Sequence, residues 1–308
     1  MDSPKLEPVG VIDLGTQSCL LLVGRRDGDR LEVLDDRCEL PALGEGLARS
    51  GRLSDAAMER ALEVLGGFAE RARELGCPSV RAFGTAAMRR AENASVLVAA
   101  AEARHGLELV VVAPEREAAL AWSAAAGPAG DPATRVIDVG GGSTEVAFAG
   151  GLRRLSAPVG AVVLSEDLGV DASWGALLGA ARATLVAARG QLGEATELLG
   201  DSGGAPTVAL GGSASNLGAL VLGLAEFDHL AVEGAVVKAE QLAHFGATLA
   251  AASVSERCEF PIEAARAAIL PAGLACLAAA TELLGAAELR VSGRGLRYAL
   301  MAEALGLV

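Results

Sequence analysis

One eight-residue phrase occurs twice in this chain. Residues 11–18 read Val-Ile-Asp-Leu-Gly-Thr-Gln-Ser, and residues 136–143 read Val-Ile-Asp-Val-Gly-Gly-Gly-Ser. Val, Ile, Asp, Gly and Ser recur in register, at a spacing far too wide for a solenoid, which predicts two similar domains. Each copy opens on an apolar pair that reads as a buried strand, puts an acid at the strand's end (Asp13, Asp138) and runs into a turn containing glycine. Glycine lets the backbone turn tightly and approach a ligand, because no Cβ intervenes. Successive N–H groups in such a turn form an anion-binding nest. An acid beside a phosphate nest makes chemical sense when a cation stands between them. The stretch therefore reads as a Mg²⁺–phosphate turn. A ligand-free glycine-rich hairpin competes evenly for one copy alone, and the second copy tips the balance.

With 308 residues the chain is long enough for two domains, each with its own core. Aromatic residues are only 3% of the total, so those cores must be built from Ala, Leu and Val. The net charge of −13 makes a poor general partner for nucleic acid or an anionic membrane. A polyanionic ligand would have to be held by local Arg, metal and backbone N–H groups. The five cysteines are scattered, with no C-x-x-C pair, which disfavours zinc and redox chemistry. Free thiols in a reducing cytoplasm are expected. Residues 1–8 lack the apolar core of a signal peptide. Residues 202–225 are uncharged over a membrane-spanning length. Their Pro206, Asn216 and glycines predict strand, turn and buried helix instead.

Along the first half, Cys19–Val23 reads as a buried strand, Arg25–Asp29 as a polar turn and Leu31–Leu34 as a half-exposed strand. Ser54 is a good N-cap for a helix ending near Leu75 and Gly76. A strand over Ser79–Phe83, a helix over 94–105 and a buried strand over Leu107–Val112 follow. In the second half, helices are expected over about 173–199, over Val237–Ala251 and over Pro261–Leu284, with a strand at Leu289–Ser292. His229 and His244 lack metal-like spacing and read as partly buried. No G-x-x-x-x-G-K-[ST] and no G-x-G-x-x-G entering a helix occurs, and the single G-x-S-x-G spacing, at residues 200–204, follows no β-branched apolar run that would make it a strand-to-helix elbow, which disfavours P-loop, dinucleotide and serine-hydrolase chemistry.

The order acid-turn, Arg, Glu, acid-turn, Gly-Gly-Ser resembles the exopolyphosphatase/guanosine pentaphosphate phosphohydrolase family, within the superfamily of sugar kinases, actin and heat-shock chaperones. The resemblance spans about residues 9–302. It implies an α/β fold of two ribonuclease H-like (actin-like ATPase) domains with an interdomain cleft. The expected domains are 1–126 and 127–293, with a C-terminal helix, 294–308, packing back on the first. The resemblance implies phosphate ligands at Gly15, Thr16 and Ser18, at Gly140, Gly141, Gly142 and Ser143, and at Gly211, Gly212 and Ser213. In Gly84–Asn93 it favours Arg89 over the adjacent Arg90 as a further phosphate ligand, a role suited to a forked guanidinium. It implies a divalent cation, Mg²⁺, on Asp13, Asp138 and Glu145, and Glu117 as general base. Glu115 then remains a charge in the first helical turn. Arg266 is either a further phosphate ligand or a surface ion pair.

The implied reaction is Mg²⁺-dependent hydrolysis of a terminal phosphoanhydride in polyphosphate or guanosine pentaphosphate, in the cytoplasm, by a possible homodimer. A regulator that binds alarmone or polyphosphate with weak catalysis, and a kinase of the same superfamily, are the alternatives. Three positions depart from the family pattern: Gln17 for Asn, Glu233 for a His before Gly234, and Tyr298-Ala299 for Glu-Gly. An acid at 233 would repel a polyanion.

Overall fold

Strand β1 (Val9–Leu14) turns through residues 15–18 into β2 (Cys19–Asp27), its antiparallel partner from Val9 opposite Gly24 to Leu14 opposite Cys19. The computed structural model describes residues 7–127, 130–192 and 206–307, so positions 193–199 of the expected helix lie outside the described residues. β3 (Arg30–Glu39) returns antiparallel along β2. Only Gly28 and Asp29 form the turn, with Gly28 at φ 61°. Arg25–Asp27, expected as turn, are therefore strand. β4 (Val80–Gly84) runs parallel to β1, and β5 (Leu109–Val111) parallel to β4, giving the order β3-β2-β1-β4-β5. β5 lies at the sheet edge with Val110 and Val111 exposed, which corrects the expectation of a buried strand.

The two faces of this sheet do different work. Ile12, Leu14, Leu21 and Val23 pack on Met58, Ala61, Leu62 and Leu65 of the helix Asp55–Glu74. Ser54 caps that helix by accepting from Ala57 N–H, as its sequence predicts. Val11, Asp13, Leu22 and Asp36 share the other face by strand alternation and register. The C-terminal helix Leu296–Ala304 packs on β1 and β2. There Arg297 makes a two-pronged ion pair with Asp36, 3.0 Å in each prong, and the Tyr298 hydroxyl donates to the same carboxylate at 2.9 Å. Tyr298, a departure from the family pattern, thus has a structural task.

Residues to Pro114 together with Leu296–Val308 form one compact unit, and Glu115–Gly295 form the other. The helix Pro114–Ala126, placed with the first domain in the sequence reading, belongs to the second unit from Glu115 onward. Its Ala121 and Trp122 pack on Val136, Val208 and Leu210.

The second unit repeats the first. β6 (Arg135–Val139), β7 (Thr144–Phe148) and β8 (Arg153–Ala157) form an antiparallel meander. β9 (Thr207–Leu210) is parallel to β6, β10 (Val236–Lys238) is an antiparallel edge, and β11 (Glu288–Val291) is parallel to β9. The order is β10-β11-β9-β6-β7-β8. Without its extra edge this is the arrangement of the first sheet, and each unit is ribonuclease H-like.

Helix Leu270–Leu284 forms the centre of the second core, packed by helices Ala161–Leu168, Trp174–Ala188, Gly212–Leu222 and Ala239–Ala251. Two expected helices begin later than the sequence suggested. Val236–Lys238 is strand, and Pro271 occupies the first turn of its helix, where its missing N–H is harmless. Among the described residues no helix is long and apolar enough to cross a membrane. All five cysteines are free. His229 and His244 are exposed, because neither packs into a core.

The Arg297–Asp36 pair is largely buried, and removing one partner strands the other charge. Arg297→Ala should lower the unfolding free energy by about 3–5 kcal/mol in urea titrations. The apolar pair Arg297→Met with Asp36→Leu should recover most of that loss.

Candidate active site

The two copies of the repeated phrase fold into the same turn. Gly15 N–H donates to Ser18 O at 2.8 Å, and Gly140 N–H donates to Ser143 O at 3.0 Å. Each turn is buttressed from outside. Gly44 N–H donates to Thr16 O and Ala42 N–H to Gln17 O. Ala161 N–H donates to Gly140 O, while the N–H groups of Val162 and Val163 both reach Gly141 O. Gln17 is thereby anchored through its backbone carbonyl. The buttress of the second turn requires Gly160: a methyl there would stand 2.5 Å from Gly140 O and 2.7 Å from Gly141 O. In the first turn Thr16 is buried, and its hydroxyl oxygen has no hydrogen-bond partner among the described residues. An orphaned hydroxyl at a glycine turn suits an incoming anion.

In the second unit, register decides what lies beside the turn. Asp138 on β6 stands opposite Glu145 on β7, so both side chains leave the same face. That face also carries Val136, Val208 and Leu210, the patch covered by helix Pro114–Ala126. Glu117, in the first turn of that helix, is buried, whereas Glu115 is exposed. The three carboxylates Glu117, Asp138 and Glu145 feel one another. Burial, and then the Glu117 charge, push Asp138 up to about 7. Burial raises Glu145 well above the ordinary range, reinforced by Glu117 and then Asp138. Hydrogen bonds from Ser156 and Ser143 pull Glu145 the other way, that from Ser156 Oγ being 2.7 Å long. Ser156 sits opposite Glu145 on β8, a partner that only strand register reveals.

At the end of β9, beside β6, Gly211 adopts φ +90°, and a methyl there would stand 2.5 Å from Val139 O and 3.1 Å from Asp138 Oδ1. Only glycine brings this backbone so close to the acid. Gly212 and Ser213 then open the helix Gly212–Leu222. Arg266 was expected within a helix, on a phosphate-binding face or in a surface ion pair. It lies in a short 3-10 turn, Ala264–Arg266, nearly buried, with its guanidinium against Gly212. It is paired with Glu263, which in turn receives Asn216 Nδ2 at 2.9 Å.

In the first unit, Asp13 is buried near the end of β1, and Ser18 closes its turn through its carbonyl. Arg89 is half-buried in the short helix Ala86–Arg90 and donates to Val112 O at 2.8 Å, while Arg90 is exposed.

Hard oxygen donors suit Mg²⁺. Among the described residues, however, no group of three or more His, Cys, Asp or Glu side chains is gathered tightly enough to hold a metal by itself. Asp138 and Glu145 fit a cation held largely through waters, which is the habit of Mg²⁺. Burial first, and neighbouring carboxylate charge second, raise both groups, and a bound cation would offset both effects.

Acids gathered beside a glycine turn, on a sheet of this topology, are carried by the ribonuclease H-like fold of the actin-like ATPases. The chain belongs to the Ppx/GppA phosphatase family, whose model matches residues 22–307. It is similar to the crystal structure of the Aquifex aeolicus family member, at 27% identity and TM-score 0.76, over 97% of this chain and 98% of that one. It shares its fold with an exopolyphosphatase from Cytophaga hutchinsonii, at 21% identity and TM-score 0.85, over 98% and 99% of the two chains. An exopolyphosphatase-like protein aligns at 23% identity and TM-score 0.85, over 97% of each chain. The protein is accordingly a phosphatase.

A carboxyl whose pKa folding raises contributes stability that is present below the unfolded value and lost as pH rises through the folded one. For Asp138 that window runs from 3.8 to about 7. In chelator, the melting temperature should fall across it, and Asp138→Asn should flatten the fall. A Gly160→Ala substitution should displace the 140–143 turn, weakening phosphate binding in titration calorimetry while the fold persists by circular dichroism.

Proposed function

We propose that the protein removes the terminal phosphate from a phosphoanhydride chain, inorganic polyphosphate or guanosine pentaphosphate, with Mg²⁺ as cofactor. The observation that carries this reading is the burial of Glu117 beside Asp138 and Glu145 at the 140–143 turn. Phosphoryl transfer asks mainly for positioning and charge neutralisation. The N–H groups of Gly140, Gly141 and Gly142 and the Ser143 hydroxyl would bind phosphoryl oxygens, and Gly211, Gly212 and Ser213 would receive the next part of the chain. Gly15, Thr16 and Ser18 offer the equivalent turn in the first unit, with Arg89 as a forked cation. Asp138 and Glu145, and Asp13 in its own copy, would hold the cation, which when bound neutralises charge on the phosphates. Glu117 orients a water and takes its proton as that water attacks the terminal phosphorus, while the bridging P–O bond opposite breaks and the shortened chain leaves with the bridging oxygen. Glu117 is buried in the first turn of its helix, and a general base has to reach the attacking water from such a position. The name of the Cytophaga hutchinsonii relative supports the polyphosphate arm.

Purified protein with Mg²⁺ should release phosphate from at least one of the two substrates. Glu117→Gln should reduce release by about 10²–10⁴-fold with little change in melting temperature. Unchanged release in the variant would overturn Glu117's role. Phosphate appearing on an acceptor hydroxyl or carboxylate instead of in solution would overturn hydrolysis in favour of a kinase.

A further inference from the structure

Glu233 is the acid that the family pattern does not anticipate, and the structure gives it a specific setting. Its carboxylate accepts from Ser292 Oγ at 2.9 and 3.2 Å and from Gly293 N–H at 2.7 Å. Arg294 Nε stands 3.9 Å from the same group, and Arg294 N–H donates to Ser292 Oγ at 3.2 Å. The residue Ser292 is 8% exposed, so its hydroxyl is a buried, oriented donor. The Glu233 side chain is 40% exposed, so solvent reaches the carboxylate. A hydroxyl, a backbone amide and a guanidinium thus converge on one anion, and that anion belongs to the protein. Convergent donors of this kind make an anion-binding concavity.

The location gives this arrangement its meaning. Ser292 N–H donates to Ala209 O at 3.0 Å, extending the ladder between β11 and β9. The Ser292–Arg294 loop therefore lies beside the end of β9, where Gly211 begins its turn. β9 in turn lies beside β6, with Leu210 opposite Asp138. Neighbouring strands are about 4.8 Å apart, so the loop is roughly 10 Å from the acid turn along the carboxyl edge of one sheet. Ligands of open α/β sheets bind along that edge.

We infer that the Ser292–Arg294 loop is an anion subsite which Glu233 keeps filled, and that Glu233 thereby restricts how far a phosphate chain extends along this edge. A tethered carboxylate competes with phosphate oxygens for the same donors and repels those that remain nearby. The loop takes phosphate-type polyanions once the carboxylate is neutralised or withdrawn. The consequence for chain length rests on the hydrolase reading above, whereas the existence of the subsite does not.

The test is a titration of the full chain with inorganic tripolyphosphate, followed by amide NMR at Gly293, for the wild type and for Glu233→Gln. The variant should show a saturable Gly293 shift with affinity about tenfold or more above the wild type, as expected when one like charge leaves a partly exposed subsite. A folded variant whose Gly293 amide responds no more than the wild type would overturn the subsite and leave Glu233 as a loop cap. If Glu233→Gln unfolds, the wild type decides: a Gly293 shift saturating at low tripolyphosphate concentration would sink the inference, and silence there supports it. Amides of Gly140–Gly142 report on the hydrolase reading separately, so the two ideas can fail independently.

Discussion

Crowding three carboxylates where water is scarce is the constraint on which the second unit depends. Glu117, Asp138 and Glu145 come from a helix and two strands; after burial itself, the Glu117 charge raises the energy of ionising Asp138 and Glu145, and the Asp138 charge adds to the latter. Like charges at close quarters cannot all ionise cheaply in a poorly hydrated site. The surrounding structure holds them there regardless. Strand register fixes Asp138 opposite Glu145, and Trp122 and Ala121 pin the helix that carries Glu117. The ribonuclease H-like arrangement can thus be understood as the scaffold that enforces this proximity. Perturbed groups of this kind concentrate at functional sites.

The first unit solves a related problem differently. Its acid, Asp13, is buried on the sheet face that also carries Asp36. Here a cation from the protein itself is at hand. Arg297 arrives from the far end of the sequence; burial opposes its charge, and Asp36, above all, with a smaller contribution from Asp13, more than offsets that. The closing segment of the chain therefore completes the electrostatics of the opening strand. Duplicated turns need not be duplicated environments.

Much of this was legible in the sequence because it resides in local pattern. The repeated Val-Ile-Asp phrase announced two matching strand–turn units, and the topology of the two sheets bears that out. Glu117 and Glu115 were separable only through the family resemblance; burial now separates them physically. Other features escaped because they are non-local. The Ser156 partner of Glu145 follows from register between two strands, and Arg266 reaches Gly212 only after the chain folds back through the 3-10 turn. The delayed helix starts at Ala239 and Leu270 reflect tertiary pairing at β10 and a proline read as interior when it was a beginning.

The helix Leu270–Leu284 carries a consequence for how such chains diverge. Nearly every one of its side chains is buried, and most are small. Inserting a single residue in its middle would rotate everything beyond by about 100° and shift it by about 1.5 Å, presenting the wrong side chain to every neighbour at once. No exposed flank exists to absorb such a slip. Length differences among proteins built this way must therefore accumulate in the connections around this central stave, leaving its own residue count fixed.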